Sequence, residues 1–288
     1  MILRPTAAAS KRSRTLSEPE GILAAMSTIM FVHAHPDDEG TLTAGSMIRA
    51  AEEGHTVVVV FGTHGEHGEV PEDLEPDETV AQRRMKEAGR AAEVGGVARV
   101  HWLGYSDSGM AGWEQNNSAE AFARADLDEA SGRLAALIEQ EQPAVLVGYD
   151  WHGNYGHPDH VKVHQVVRRA AELADPAPRL FEATMNRDQM RRQYEAAKAA
   201  GMEGDDFNPD APMNDGNPLG TPEAEISLQV DVSGQLVRRR EMMACHVSQV
   251  TDVGGMLALP EPVYAGMFSL EHFIAVGESE PMRTGWFF

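Results

Sequence analysis

Four short apolar runs rich in β-branched residues recur through the first half of the chain, each followed by a longer stretch with helical spacing. Thr28 to His33 (TIMFVH), Thr56 to Phe61 (TVVVVF), Arg99 to Leu103 (RVHWL) and Ala144 to Tyr149 (AVLVGY) are of strand length and almost uninterrupted, the pattern of strands covered on both faces. Leu42 to Glu53, Thr79 to Val94 and Asp126 to Glu141 read as the helices between them. This alternation predicts an α/β, Rossmann-like fold, a mostly parallel sheet with helices on both faces. In the common strand order 3-2-1-4, the first and fourth strands are neighbours, and the connections diverge between them to open a crevice beyond their carboxyl ends. The loops after His33 and after Tyr149 are therefore where ligand-binding residues are expected.

Beyond about Pro176 the pattern loosens into a smaller C-terminal α/β portion. Arg187 to Ala200 and Gln235 to His246 read as helices and Ile226 to Val232 as a strand. Met202 to Thr221, rich in Gly, Pro, Asn and Asp, reads as a long loop or lid. The expected organisation is a mobile extension over 1–27, a catalytic core over 28–175 and a substrate-shaping portion over 176–288. Met26, near the end of the extension, offers a second start. No internal repeat is present.

Charge and cysteine content narrow the function classes. Lys and Arg total 24 against 45 Asp and Glu, a formal net charge of -21. With no basic run to displace counterions from phosphates, nucleic acid is excluded as a partner, and the acidic excess reads as solubilising. The single cysteine, Cys245, rules out an internal disulfide or a cysteine-built zinc site and fits a reducing cytoplasm. No apolar run approaches the roughly 20 residues of a membrane helix, so no membrane partner is expected.

Both expected active loops carry metal-ligand residue types. The first reads His35-Pro36-Asp37-Asp38-Glu39 and the second Tyr155-Gly156-His157-Pro158-Asp159-His160. Either alone could be a capped turn; at two switch-point strands together they describe a site. A catalytic zinc takes three N or O ligands and keeps a position open for water. His35 and Asp38, three apart on a tight turn, and His160 from the facing loop supply the three. Asp37 is then free to act as general base toward the water. Pro158 suits the first position of a helix, leaving His157 at its mouth to donate to a leaving nitrogen or stabilise an oxyanion, with the Tyr155 hydroxyl as a further donor. These parts describe metal-assisted amide hydrolysis, with Zn2+ favoured and Fe2+ the alternative.

The same residues carry a family resemblance. Ala34 to Glu39 after a strand, with Tyr155 to His160 before a helix, resembles the paired signature of the LmbE-like (PIG-L) zinc-dependent N-acetylglucosamine deacetylases, most closely the mycothiol-pathway deacetylase and S-conjugate amidase branch. The resemblance covers Thr28 to Ala174, and more faintly His246 to Val250. It implies the metal ligands His35, Asp38 and His160, the base Asp37, the acid-base or charge-stabilising His157 and the oxyanion-polarising Tyr155. It also implies substrate contacts at Arg84 and Asp107, and a small amino-sugar substrate of the N-acetylglucosaminyl-inositol kind. Gly40 to Ala44 lacks the lysine that the amidase branch carries there, which favours deacetylation over conjugate cleavage. The oligomeric state is left open, self-association included.

Other residues carry weaker signals. His64 and His67 could form a second metal site but read better as an exposed polar loop, and His164 reads as packing or ligand support. His33 and His101 read as core residues and Cys245 as packing, while His246 is balanced between solvent and the active site. A dinucleotide-binding oxidoreductase would need Gly-x-Gly-x-x-Gly where this chain has His-Pro-Asp-Asp-Glu. A non-catalytic sugar- or metal-binding module would have no need of Asp37 or His157.

Overall fold

The computed structural model describes residues 26–199, 208–213 and 215–288. The expected N-terminal extension lies almost wholly outside these residues, as does part of the expected lid.

In the first half, β1 (Thr28–His33), α1 (Ala44–Glu52), β2 (Thr56–Thr63), α2 (Val80–Gly95), β3 (Arg99–Tyr105), α3 (Leu127–Glu141) and β4 (Val145–Tyr149) follow in the expected order. A short turn, α4 (Gly153–Gly156), then leads into α5 (Pro158–Leu173). Strands β3, β2, β1 and β4 lie side by side and parallel, in the 3-2-1-4 order.

Alternate residues of each strand point to opposite faces, and here both faces are apolar. Ile29, Phe31, Val57, Val59 and Phe61 pack with Met47, Ile48, Ala88 and Ala91 of α1 and α2. Met30, Val32, Val58 and Val60 pack with Leu134, Ile138, Val163 and Val167 of α3 and α5. Burial of each such side chain contributes about 1.5–3 kcal/mol, and it requires helices on both sides. The helices start where local chemistry allows. Thr79 and Gln82 form a reciprocal capping box before α2, and Asp126 caps α3.

The second half extends the same sheet. β5 (Arg179–Thr184) pairs parallel with β4, followed by α6 (Arg187–Ala199), β6 (Leu228–Asp231), α7 (Leu236–Met243), α8 (Asp252–Leu257), α9 (Glu261–Phe268), β7 (Leu270–Ala275) and β8 (Arg283–Thr284). β7 runs antiparallel between β5 and β6, completing eight strands in the order 3-2-1-4-5-7-6-8. β5, β7, β8, α8 and α9 had no counterpart in the sequence reading. The expected helix to His246 ends at Met243, and the α-helix expected from Leu42 begins at Ala44, after a π-helical turn, Glu39–Thr43, that includes Leu42. No helix of the described residues is long and apolar enough to cross a membrane.

Candidate active site

β1 and β4 deliver their loops to the same end of the sheet, and the expected ligand residues meet there. At the β1 loop, Asp38 Oδ2 accepts the His35 amide at 2.8 Å, and Glu39 Oε2 accepts the Asp37 amide at 2.8 Å. Between them Asp37 is held at φ 112°, a conformation that L residues other than Asn and Asp rarely enter.

Asp38 lies between two imidazoles. Its Oδ2 is 3.4 Å from His35 Nδ1 and its Oδ1 is 3.2 Å from His160 Nε2. Each ring is turned by an acceptor at its far nitrogen. His35 Nε2 lies 3.1 Å from Asp159 Oδ2 and 3.5 Å from Asp107 Oδ1, while His160 Nδ1 bonds the Gly153 carbonyl at 3.2 Å. The far nitrogens are thus occupied and the near ones are directed at one carboxylate, as metal-binding imidazoles require. His157 joins the group: a ring nitrogen from each of His35, His157 and His160 lies within 4.8 Å of the others. The donor set fits a divalent transition metal. Gly153, at φ 63°, is needed for this approach, because a Cβ there would stand 2.2 Å from His160 Cβ.

The charges follow from burial and neighbours. Burial works to lower the pKa of His35, but Asp107, Asp159 and Asp38 outweigh it and hold it well above the usual value. Burial works to raise that of Asp38, but His160 and His35 carry it well below. Asp37 is pushed up to about 6, chiefly by burial and also by the adjacent Asp38, against the pull of Arg84. A carboxylate tuned toward neutrality suits a proton carrier.

His157 caps α5, its Nδ1 accepting the Asp159 amide at 3.1 Å. Burial, followed by His35 and His160, holds its pKa well below the usual value, so the ring is neutral with its proton on Nε2. The Tyr155 hydroxyl lies 3.5 Å from His160 Nε2, and burial together with the surrounding carboxylates keeps it protonated.

Arg84 and Asp107 are both in this region but turned onto protein groups. Arg84 is buried; Nη2 lies 2.9 Å from Asp37 Oδ2 and also bonds the Pro36 carbonyl, and Nη1 donates to Gly65 O at 2.7 Å. Asp107 accepts the amides of Gly109 at 2.8 Å and His67 at 3.1 Å while facing His35.

Comparison with known proteins gives this constellation its context. The sequence profile of the family described as PIG-L, GlcNAc-PI de-N-acetylase, matches residues 30–171. The 1D-myo-inositol 2-acetamido-2-deoxy-alpha-D-glucopyranoside deacetylase of Nocardiopsis dassonvillei is 35% identical over 277 residues, covering 89% of this chain and 96% of that protein. The chain belongs to the PIG-L family. The Streptomyces avermitilis protein of the same name is 36% identical over 282 residues, 90% of this chain and 96% of that one. Among solved structures, an N,N'-diacetylchitobiose deacetylase of Pyrococcus horikoshii matches with TM-score 0.51 at 20% identity, over 83% of this chain and 73% of the other. A 4-carboxy-2-hydroxymuconate hydratase of Pseudomonas putida matches with TM-score 0.55 at 18% identity, over 90% of this chain and all of its own. A deacetylase and a hydratase on one fold leave the chemistry to the site.

Several polar residues of this PIG-L family member escaped the sequence reading. Asp159, fully buried, accepts from Ser108 N at 2.9 Å and orients His35; its place between His157 and His160 was the available signal. Glu271 of β7 accepts the amides of Gly45 and Ser46 at 2.8 and 2.9 Å and pairs with Arg239 at 2.7 Å. Arg239 in turn donates to the carbonyls of Gly40 and Thr41 in the π-helical turn. His246, which the sequence left balanced between solvent and the active site, is buried beside Glu39. The weaker candidates have structural places. His33 bonds Tyr149 Oη at 3.0 Å and Thr43 Oγ1 at 2.9 Å, His101 pairs with Glu141, His164 bonds Tyr149 O, and His64 packs on Trp102. His67 contributes its backbone amide to Asp107, and Cys245 is partly exposed.

Proposed function

We propose that the chain is a metal-dependent hydrolase that removes the acetyl group from an N-acetylglucosaminyl-inositol substrate, with His35, Asp38 and His160 holding one zinc ion. The observation that carries this reading is the pair of imidazoles turned onto Asp38 beside Asp37, whose pKa is pushed up to about 6. It is supported by alignment of 89% of the chain with a deacetylase named for that substrate class. Nitrogen and oxygen donors favour zinc, with iron(II) as the second choice. When bound, the ion supplies Lewis acidity to the amide carbonyl and the attacking water.

The chain's own groups do the rest. Asp37 takes the proton of the attacking water as that oxygen bonds to the acetyl carbon. The Nε2–H of His157 and the Tyr155 hydroxyl then donate to the developing oxyanion, where one such donor is typically worth about 3–4 kcal/mol. As the C–N bond breaks, protonated Asp37 returns its proton to the leaving amine, so acetate and a free amino sugar result. His157 thus serves the oxyanion rather than the leaving nitrogen, because its ring is neutral. Arg84 and Asp107 act on the substrate through the loops that they order. The enzyme works in the cytoplasm on a small molecule.

The test is to incubate metal-loaded protein with 1D-myo-inositol 2-acetamido-2-deoxy-α-D-glucopyranoside and quantify the released amine, beside a thiol-conjugate amide. Amine release from the acetamido sugar is expected. Turnover of the conjugate alone would assign the protein to the amidase activity instead.

A further inference from the structure

The left-handed backbone of Asp37 must be held by its surroundings, because such a conformation is strained for a residue with a side chain. Its carboxylate is held by Arg84 of α2 at 2.9 Å, and its amide by Glu39 Oε2 at 2.8 Å. Glu39 is itself 2% exposed, and a buried carboxylate persists as an acceptor only with a partner for its second oxygen. That partner is His246, whose Nε2 lies 2.6 Å from Glu39 Oε1.

We propose that Glu39 and His246 form a buried positioning pair that holds the main chain of Asp37, and so aims the Asp37 carboxylate at the ligand cluster.

The route to His246 supports this role. α7 ends at Met243, and the chain then turns inward instead of continuing as a helix. Just beyond His246, Ser248 bonds Glu87 of α2 through its hydroxyl at 2.6 Å and its amide at 3.1 Å. Glu87 lies one helical turn from Arg84. Glu69 accepts the amides of Val250 and Thr251 at 3.2 and 2.7 Å, tying the same segment to the β2 loop. One C-terminal segment therefore fixes His246 relative to the helix that carries Arg84. Both supports of Asp37, at its amide and at its carboxylate, share this frame. His246 Nδ1 is buried and has no hydrogen-bond partner among the described residues, so the ring's polar contact in the structure is the one to Glu39.

The inference rests on the reading of Asp37 as the base, and the experiment separates the two. Glu39→Met fills the space without an acceptor, whereas Glu39→Gln keeps an oxygen for the Asp37 amide. His246→Leu and His246→Gln make the same contrast at the other partner. Each is measured for kcat, KM and bound metal, alone and combined with Asp37→Asn. Glu39→Met and His246→Leu should lower kcat on the order of a hundredfold, the scale of a 1 Å misplacement, with KM and metal content near wild type. The Gln variants should keep most of kcat. In the Asp37→Asn background Glu39→Met should cause little further loss, since there is no base left to aim. Equal losses in the Met and Gln variants, or full additivity with Asp37→Asn, would overturn the positioning role. If Glu39→Met does not fold, the His246→Leu and His246→Gln contrast decides by the same criteria. Wild-type kcat in Asp37→Asn itself would instead remove the base assignment on which the pair depends.

Discussion

The two halves of the sheet contribute polar residues of different kinds. Before residue 175, the polar groups at the strand ends converge: His35, Asp37, Asp38, His157 and His160 face one small region. After it, the buried polar groups Arg239, His246, Ser248 and Glu271 each bond the backbone or side chains of the first half. One half carries the groups proposed to react, and the other bonds the loops and helices that carry them. The difference teaches that a site assembled from two short loops needs support from chain that is remote in sequence. Damage to the two halves should therefore look different.

The largest effect is expected within the first half. Asp37→Ala should lower kcat by about 10²- to 10⁴-fold with metal content near wild type, whereas Asp38→Ala should lose both metal and activity, as read by elemental analysis and amine release. Loss of metal in Asp37→Ala would merge the two roles and weaken the distinction between reacting and ligating groups. Next comes the support. Glu271→Ala leaves Arg239 buried without its carboxylate and should destabilise the fold by about 3–5 kcal/mol in denaturant titration. A stability near wild type would mean that the second half merely covers the first.

A smaller effect sharpens the contrast through pH. His272 of β7 is buried, which lowers its pKa to about 4 against an opposing pull from Glu223. Its folded value lies below the unfolded one, near 6.5, so the folded chain binds fewer protons as pH falls. Its stabilising contribution is full above about pH 6.5 and is lost as pH falls toward 4, by about 2–3 kcal/mol over that window. His272→Gln should flatten that part of the stability profile while leaving the neutral-pH activity of the remote site intact. An unchanged profile would show that β7 titrates no differently in the folded and unfolded chains.

The same contrast explains what the sequence disclosed. β1, β2 and β4 were legible because each buries both faces and so reads as an apolar run, and β3, a half-buried edge strand, by its β-branched and aromatic residues; the meeting of His35 with Asp38 was legible because they lie on one turn. β7 was not, since Leu270 to Ala275 contains Glu271 and His272, polar residues that are buried only because of partners elsewhere. His246 has its partner 207 residues upstream, a relation that no local pattern expresses. Arg84 and Asp107 were located by resemblance, but their bonds to neighbouring loops became apparent only with the chain folded.

The backbone of Asp37 also limits which substitutions can escape notice. At φ 112° the inexpensive replacements are Gly and Asn, which tolerate left-handed geometry better than other residues. Neither can accept a proton as a carboxylate does. Asn, which also keeps an oxygen for the buried Arg84, is therefore the change most compatible with folding at this position, and it is one that would remove the proposed base. An Asp37→Asn chain should melt much like the parent, so a screen that scores folding alone would pass it, and only an assay that counts turnovers would find the loss.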